Sequence, residues 1–152
     1  MQYRLATLSD VKYVYDLVCD MEEKVLDYHN FQIFFEQYVD SESYLSILAV
    51  ENSSVVGCIN LRLEYQLHHA ARIAEIMEFV VVENTRSSGI GTLLFAEAEK
   101  LAKERGCIQI EVCCNQLRTR THNFYEKQKM LNSHFKYTKN LYSVNNQNQL
   151  GV

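Results

Sequence analysis

The chain has 152 residues, 47% hydrophobic and 22% charged, enough for one domain that buries ~70% of its unfolded surface. This ordinary composition excludes wholesale disorder and collagen-like repeats, and no apolar run approaches the ~20 residues of a membrane-spanning helix. A net charge of −4 argues against a general nucleic-acid binder, which shows a basic excess.

Proline is absent, so Gly, Asn and Ser must punctuate the chain. A short strand is predicted at Tyr3 to Ala6, then Ser9 as a cap. Val11, Val14, Tyr15, Val18 and Met21 follow at helical spacing. A second helix is predicted from Asn30, with Phe31, Phe34, Phe35 and Tyr38 on one face. Tyr44 to Val50 and Val55 to Tyr65 flank Glu51-Asn52-Ser53-Ser54 and read as an antiparallel hairpin. Ile73 to Val82 reads as a long strand. Ile90, Leu93, Leu94, Leu101 and Ala102 mark a helix that stops at Arg105-Gly106. Ile108, Ile110 and Val112 alternate as a buried strand, a helix carries Phe124 and Tyr125, and a last strand is expected at His134 to Thr138. The order is that of a mixed α/β domain around one sheet, spanning 1–141, with 142–152 as a frayed tail.

The start, MQYRLATLSD, lacks the basic and apolar regions of a secretory signal. Five cysteines, with Cys113 and Cys114 adjacent, make a poor disulfide framework, so a reduced, cytoplasmic compartment is expected. Charge is unevenly spread. Asp10 to Glu42 holds nine acids against Lys12 and Lys24, whereas Arg118 to Lys139 holds six bases against Glu126. Two solvated faces, or a site with an acidic and a basic side, are both consistent with this.

The sharpest motif is Arg86-Ser87-Ser88-Gly89-Ile90-Gly91, followed by Thr92, between a β-rich strand and an amphipathic helix. A helix N-terminus offers N–H groups and the positive dipole end to a phosphate, and glycine lets the backbone approach it. A Walker A loop would need Gly-Lys-Ser/Thr, and a dinucleotide fingerprint a third glycine where Leu94 stands. A glycine-softened turn that binds nothing stays open on spacing alone.

Glu78-Phe79-Val80-Val81-Val82 followed by Arg86-x-x-Gly89-x-Gly91 resembles the acetyl-CoA motif of the GNAT superfamily of N-acetyltransferases. Asn115 and His122-Asn123-Phe124-Tyr125-Glu126-Lys127 resemble that family's next motif. Within it, Leu17-Val18-Cys19, Asp27-Tyr28-His29-Asn30-Phe31, Leu67-His68-His69 and Ser133-His134-Phe135-Lys136-Tyr137-Thr138-Lys139 resemble bacterial aminoalkylphosphonate N-acetyltransferases. Ser87 and Lys129 stand where such proteins often carry Gly.

The resemblance implies a mostly antiparallel sheet splayed between strands 4 and 5, with helices on both faces. It implies that Arg86, Ser87, Ser88, Gly89, Ile90, Gly91 and Thr92 hold the pyrophosphate of acetyl-CoA. The main chain of Phe79, Val80 and Val81 would line the pantetheine arm, with Phe79 N–H toward the thioester oxygen. Asn115 would bond the same arm, and Tyr125 would face the sulfur.

Acetyl transfer to an amine also needs a base, and Glu78 interrupts an apolar strand where a carboxylate is costly unless paired, solvated or used. Glu75, expected on the opposite face, is the weaker candidate. Tyr125 would supply the proton to sulfur. Structural readings stand beside each of these: an ion pair for Glu78, an aromatic pair for Tyr125, and a turn for Asn115. His29, His68, His69 and His134 would face an anionic group on the acceptor, or are ordinary histidines. No metal-ligand spacing recurs, so no tightly bound metal is expected. The cysteines read as small hydrophobes rather than nucleophiles.

The expected function is acetyl transfer to a primary amine of a small molecule, with aminoalkylphosphonates the leading class. A polyamine or antibiotic acetyltransferase, or a non-catalytic acyl-CoA-binding module, are the alternatives. No nucleic acid or membrane is expected as a partner, and a homodimer is left open.

Overall fold

Five strands lie in the order β1-β2-β3-β4-β5: β1 (Gln2–Leu5), β2 (Tyr44–Glu51), β3 (Ser54–Gln66), β4 (Ala71–Val81) and β5 (Cys107–Val112). The structure is a computed structural model describing residues 1–85 and 88–142. It has two compact units, Met1–Cys113 and Cys114–Val152. In the first, β1 to β4 pair antiparallel, and β5 pairs parallel with β4. Asn52 and Ser53 have φ of 48° and 65°, the left-handed values that a two-residue hairpin turn needs to match strand twist. The predicted β2–β3 hairpin is thereby formed.

The parallel pairing ends where Ile76 meets Val112, so β4 runs five residues further, to Val81, without β5 beside it. This is the splay between strands 4 and 5. Alternation along β5 is not that of a buried strand, however. Ile108 is 70% exposed while Cys107 is buried, because among the described residues β5 is the edge strand and the helix Ile90–Glu104 packs on one of its faces.

Two helices cover one face. α1 (Val11–Glu22) and α2 (Tyr28–Asp40) bury Val14, Leu17, Val18 and Phe35 against Leu48, Cys58 and Val80. Asp27, not Asn30, starts α2: its Oδ1 accepts the Asn30 N–H at 2.7 Å. Phe34 turns outward, 58% exposed. α3 (Ile90–Glu104) covers the opposite face through Leu94, Phe95, Ala98 and Ala102. Leu94 lies against Gly57, where a Cβ would come 3.0 Å from the Val80 carbonyl oxygen. Glycine therefore lets two strands and a helix close on one point.

The chain enters α1 through Asp10 rather than through a Ser9 cap. The buried Asp10 carboxylate accepts the Thr7 N–H at 2.8 Å and is forked by Arg4 at 2.8 Å on both oxygens. The Arg4 hydrogen bonds outweigh burial and hold its pKa at about 2, against an ordinary 3.8. A lowered carboxylate pKa stabilises the fold above the unfolded value, and that contribution is lost as pH falls through the folded one. Asp10→Asn is thus expected to cost about 2 kcal/mol at pH 7, with the deficit shrinking below pH ~4. Urea melts of both proteins at pH 7 and pH 3 check this; an equal deficit at both values would refute it.

The second unit contains α4 (Thr119–Lys127). It ends with Lys129 at φ 64°, while Lys129 N–H bonds Glu126 O and Met130 N–H bonds Tyr125 O. That closure favours glycine, so a lysine stands in a strained position. The strand expected at His134 to Thr138 is not formed. Phe135 and Tyr137 are 79% and 91% exposed, and among the described residues no strand lies beside them. Alternation only permits a strand, whereas a neighbour's N–H and C=O groups make one.

Candidate active site

β3 and β4 are out of step at one point. Asn60 pairs with Glu78 but Leu61 pairs with Ile76, so Met77 is an extra residue, a β-bulge. A bulge reverses the alternation of side chains across it. Counting in twos from Glu78 places Glu75 on the far face. In the structure Glu75 pairs with Arg62, two residues from Asn60, and so lies on the same face as Glu78. The expected opposition of the two carboxylates is corrected by this one residue.

The bulge assembles a polar row on the sheet face that α1 and α2 cover. Ser46, Asn60 and Glu78 stand opposite one another on β2, β3 and β4, with Tyr44, Arg62 and Glu75 beside them. Tyr44 stacks on Tyr38 of α2 at 4.1 Å between ring centroids. The two carboxylates have different partners. Glu75 takes a hydrogen bond from the Arg62 guanidinium at 2.5 Å, a charge pair that suits it to structure. Glu78 has a neutral partner, the Asn60 amide, whose Nδ2 donates to Oε2 at 3.0 Å. Burial pushes the Glu78 carboxyl above its ordinary pKa of 4.5; the Asn60 hydrogen bond pulls it back, and the Glu22 charge raises it further. A half-buried carboxylate with a raised pKa and, among the described residues, no cation bonded to it is equipped to take a proton.

Val80 is buried in the core and Phe79 and Val81 are partly buried, as ordinary strand side chains would be. Gly89, at φ 85°, precedes the first residue of α3. A Cβ there would meet nothing within 4 Å, so the helix start is open, and it is the backbone conformation that asks for glycine. Ser88 Oγ donates to Thr85 O at 2.6 Å. Ile90 is buried, so only its main chain could serve a ligand, while Gly91 and Thr92 lie at the surface of the first turn. The first-turn N–H groups of a helix have no intrahelical acceptor, and those of α3 suit an anion. Arg86 and Ser87 lie outside the described residues.

In the second unit, Asn115 Oδ1 accepts the Leu117 N–H at 2.9 Å, the turn role that its residue type also allowed. Tyr125 is buried, and its ring meets Phe124 at 5.5 Å. Burial pushes the Tyr125 phenol up, the nearby Cys114 adds to this and Arg118 opposes it, so it stays protonated at neutral pH.

The histidines are scattered. The His68 and His69 rings lie 4.3 Å apart, tilted at 45°, in the β3–β4 turn, and His69 lies 3.7 Å from Glu111. β4 begins after that turn, and its first residue, Ala71, is seven residues before Glu78, ~23 Å at the rise of a strand. His29 opens α2 and is exposed. Among the described residues, no hydrogen bond or ion pair joins it to His68 or His69. His134, in the second unit, bonds Ser133. Of the cysteines, Cys58 and Cys107 are buried and Cys113 is exposed; burial pushes the Cys58 thiol up, which keeps it from acting as a thiolate. Asn60 and Arg62 carry no site reading in the sequence, and Tyr38 is read there only as part of a helix face. The signal for Asn60 was present: one amide in the apolar run Cys58-Ile59-Asn60-Leu61.

The family model for the acetyltransferase (GNAT) family matches residues 11–130. The chain is 37% identical over 140 residues to a protein of Salmonella typhimurium named aminoalkylphosphonate N-acetyltransferase, covering 92% of this chain and 91% of that one. Among solved structures, it is similar in fold to a transcriptional regulator from Bacillus halodurans C-125, with a TM-score of 0.84, 22% identity, and 92% and 99% of the two chains covered. A ribosomal-protein-alanine N-acetyltransferase from Brucella melitensis is similar at a TM-score of 0.77 and 14% identity, over 93% and 100%. With the splayed sheet, the open glycine at the start of α3 and the match over most of its length, this chain belongs to the GNAT family of acetyltransferases.

Proposed function

We propose that the protein moves the acetyl group of acetyl-CoA to a primary amine on a small molecule, with aminoalkylphosphonates as the acceptor class. The observation that carries this is Glu78, held on a bulged strand in a polar row and bonded by a neutral amide. The 37% identical relative named for such an acceptor supports the finer choice.

Acetyl-CoA supplies an activated acyl group on sulfur. Ser88, Gly89, Ile90, Gly91 and Thr92, with Arg86 and Ser87, are the residues proposed to hold its pyrophosphate. Phe79, Val80 and Val81 are proposed along the pantetheine arm, with Asn115. Glu78 takes a proton from the acceptor ammonium, directly or through water, which frees the nitrogen lone pair. As the C–N bond forms, the Phe79 N–H is the proposed donor to the oxygen that gains charge. As the C–S bond breaks, Tyr125 gives its proton to sulfur, and the second proton on the newly bonded nitrogen leaves to the Tyr125 phenolate or to water as the amide forms. Exchange with water restores both side chains. The anionic end of a small acceptor would call on His29 or His134, since His68 and His69 stand more than ~20 Å along β4 from Glu78.

A panel of amines assayed for thiol release tests the proposal. Turnover of aminoalkylphosphonates well above their carboxylate analogues is expected. Preference for a polyamine would instead match the acidic stretch from Asp10 to Glu42. Coenzyme binding without release under every amine would refute acetyl transfer in favour of a binding module.

A further inference from the structure

Asn60 is 5% exposed in the middle of β3. A buried amide costs stability unless its hydrogen bonds are made, and an apolar residue would continue the strand at less cost. Only half of this amide is used among the described residues. Nδ2 donates to Glu78 Oε2, whereas Oδ1 is buried without a protein partner. Directly opposite on β2, Ser46 is also 5% exposed, and its Oγ likewise has no partner among the described residues. Cross-strand neighbours hold their Cβ atoms ~4.5–5.5 Å apart, a gap that a turn of the Ser46 hydroxyl or one water closes.

A carboxylate can only accept and a hydroxyl can donate. The row Ser46, Asn60, Glu78 therefore has one self-consistent direction: hydroxyl to Oδ1, Nδ2 to carboxylate. We propose that Asn60 is a positioning residue, which grips Glu78 Oε2 so that Oε1 is presented to the acceptor ammonium, with Ser46 keeping the amide the right way round. The role rests on the reading of Glu78 as the base. Other groups reach Glu78 from every element packed on that face: Glu22 from α1, Tyr38 from α2 and Cys58 from β3, with the Arg62–Glu75 pair further along. None of them is a cation bonded to Glu78, so the amide is the group that favours its charged form.

The test is a carboxyl-carbon NMR titration of the full-length protein, with the Glu78 resonance assigned by its loss in Glu78→Gln. In Asn60→Ala the Glu78 midpoint is expected to rise by about one pH unit. In Asn60→Asp it is expected to rise further, because two adjacent carboxylates resist double ionisation. Ser46→Ala gives a smaller rise in the same direction. A purely structural role would lower the melting temperature and leave the midpoints where they are; an unchanged Glu78 midpoint in both Asn60 variants overturns the proposal. Turnover of Glu78→Gln is a separate readout. If it keeps wild-type activity the base reading falls, and if it is inactive while the midpoints stay put only the positioning role falls.

Discussion

Glu78→Gln is expected to lower kcat by about 10²- to 10⁴-fold, the usual contribution of a positioned base, while the affinity for acetyl-CoA changes little. Gln matches the shape of Glu and can still bond Asn60, but it cannot take a proton. The same substitution should not weaken the fold. A carboxyl whose folded pKa is raised disfavours the native state above that pKa, and the penalty disappears as pH falls below the unfolded value. Glu78 is raised above 4.5, chiefly by burial. At pH 7 the Gln variant should therefore melt at the same temperature as the wild type or higher. Steady-state kinetics, coenzyme titration and a thermal melt check the three parts. Loss of coenzyme affinity in parallel with kcat would mean that Glu78 binds rather than catalyses.

Tyr125→Phe is expected to lower kcat by about ten- to a hundredfold, less than the loss at Glu78 because a thiolate leaves without full protonation. The phenol is buried and held above its ordinary pKa, first by burial and then by Cys114, so it is a proton donor across the neutral range. Phe keeps the ring and its contact with Phe124 at 5.5 Å. Stability should fall little, and coenzyme affinity should hold within a few-fold. A thioester whose thiol leaves more readily should restore much of the rate in the Phe variant. Absence of such rescue, with kcat reduced, would remove the acid role from Tyr125.

Most elements could be read in chain order, because amphipathic spacing and turn residues are local signals. The helix of Ile90 to Ala102 was legible from its apolar period and its Arg105-Gly106 stop, and Gly106 has φ 79°. The hairpin at Asn52-Ser53 was legible from its turn. The expected His134 to Thr138 strand lacks a neighbour among the described residues, and the alternation of Ile108, Ile110 and Val112 reads as a buried strand although β5 is the sheet's edge there. Both errors concern which strand lies beside which, and composition does not carry that information.

The candidate site divides along the same line. Residue type and spacing alone determined that a glycine-marked helix start follows a β strand whose apolar end is interrupted by the Glu78 carboxylate, because glycine and apolar periodicity act within a few residues of chain. What the tertiary structure decided is which groups surround that carboxylate. The extra residue at Met77 moves Glu75 onto the Glu78 face, where Arg62 neutralises it, and pairing across three strands brings Ser46 and Asn60 into line with Glu78. Register between strands is a long-range property, and shifting it by one residue turns every side chain beyond it to the other face.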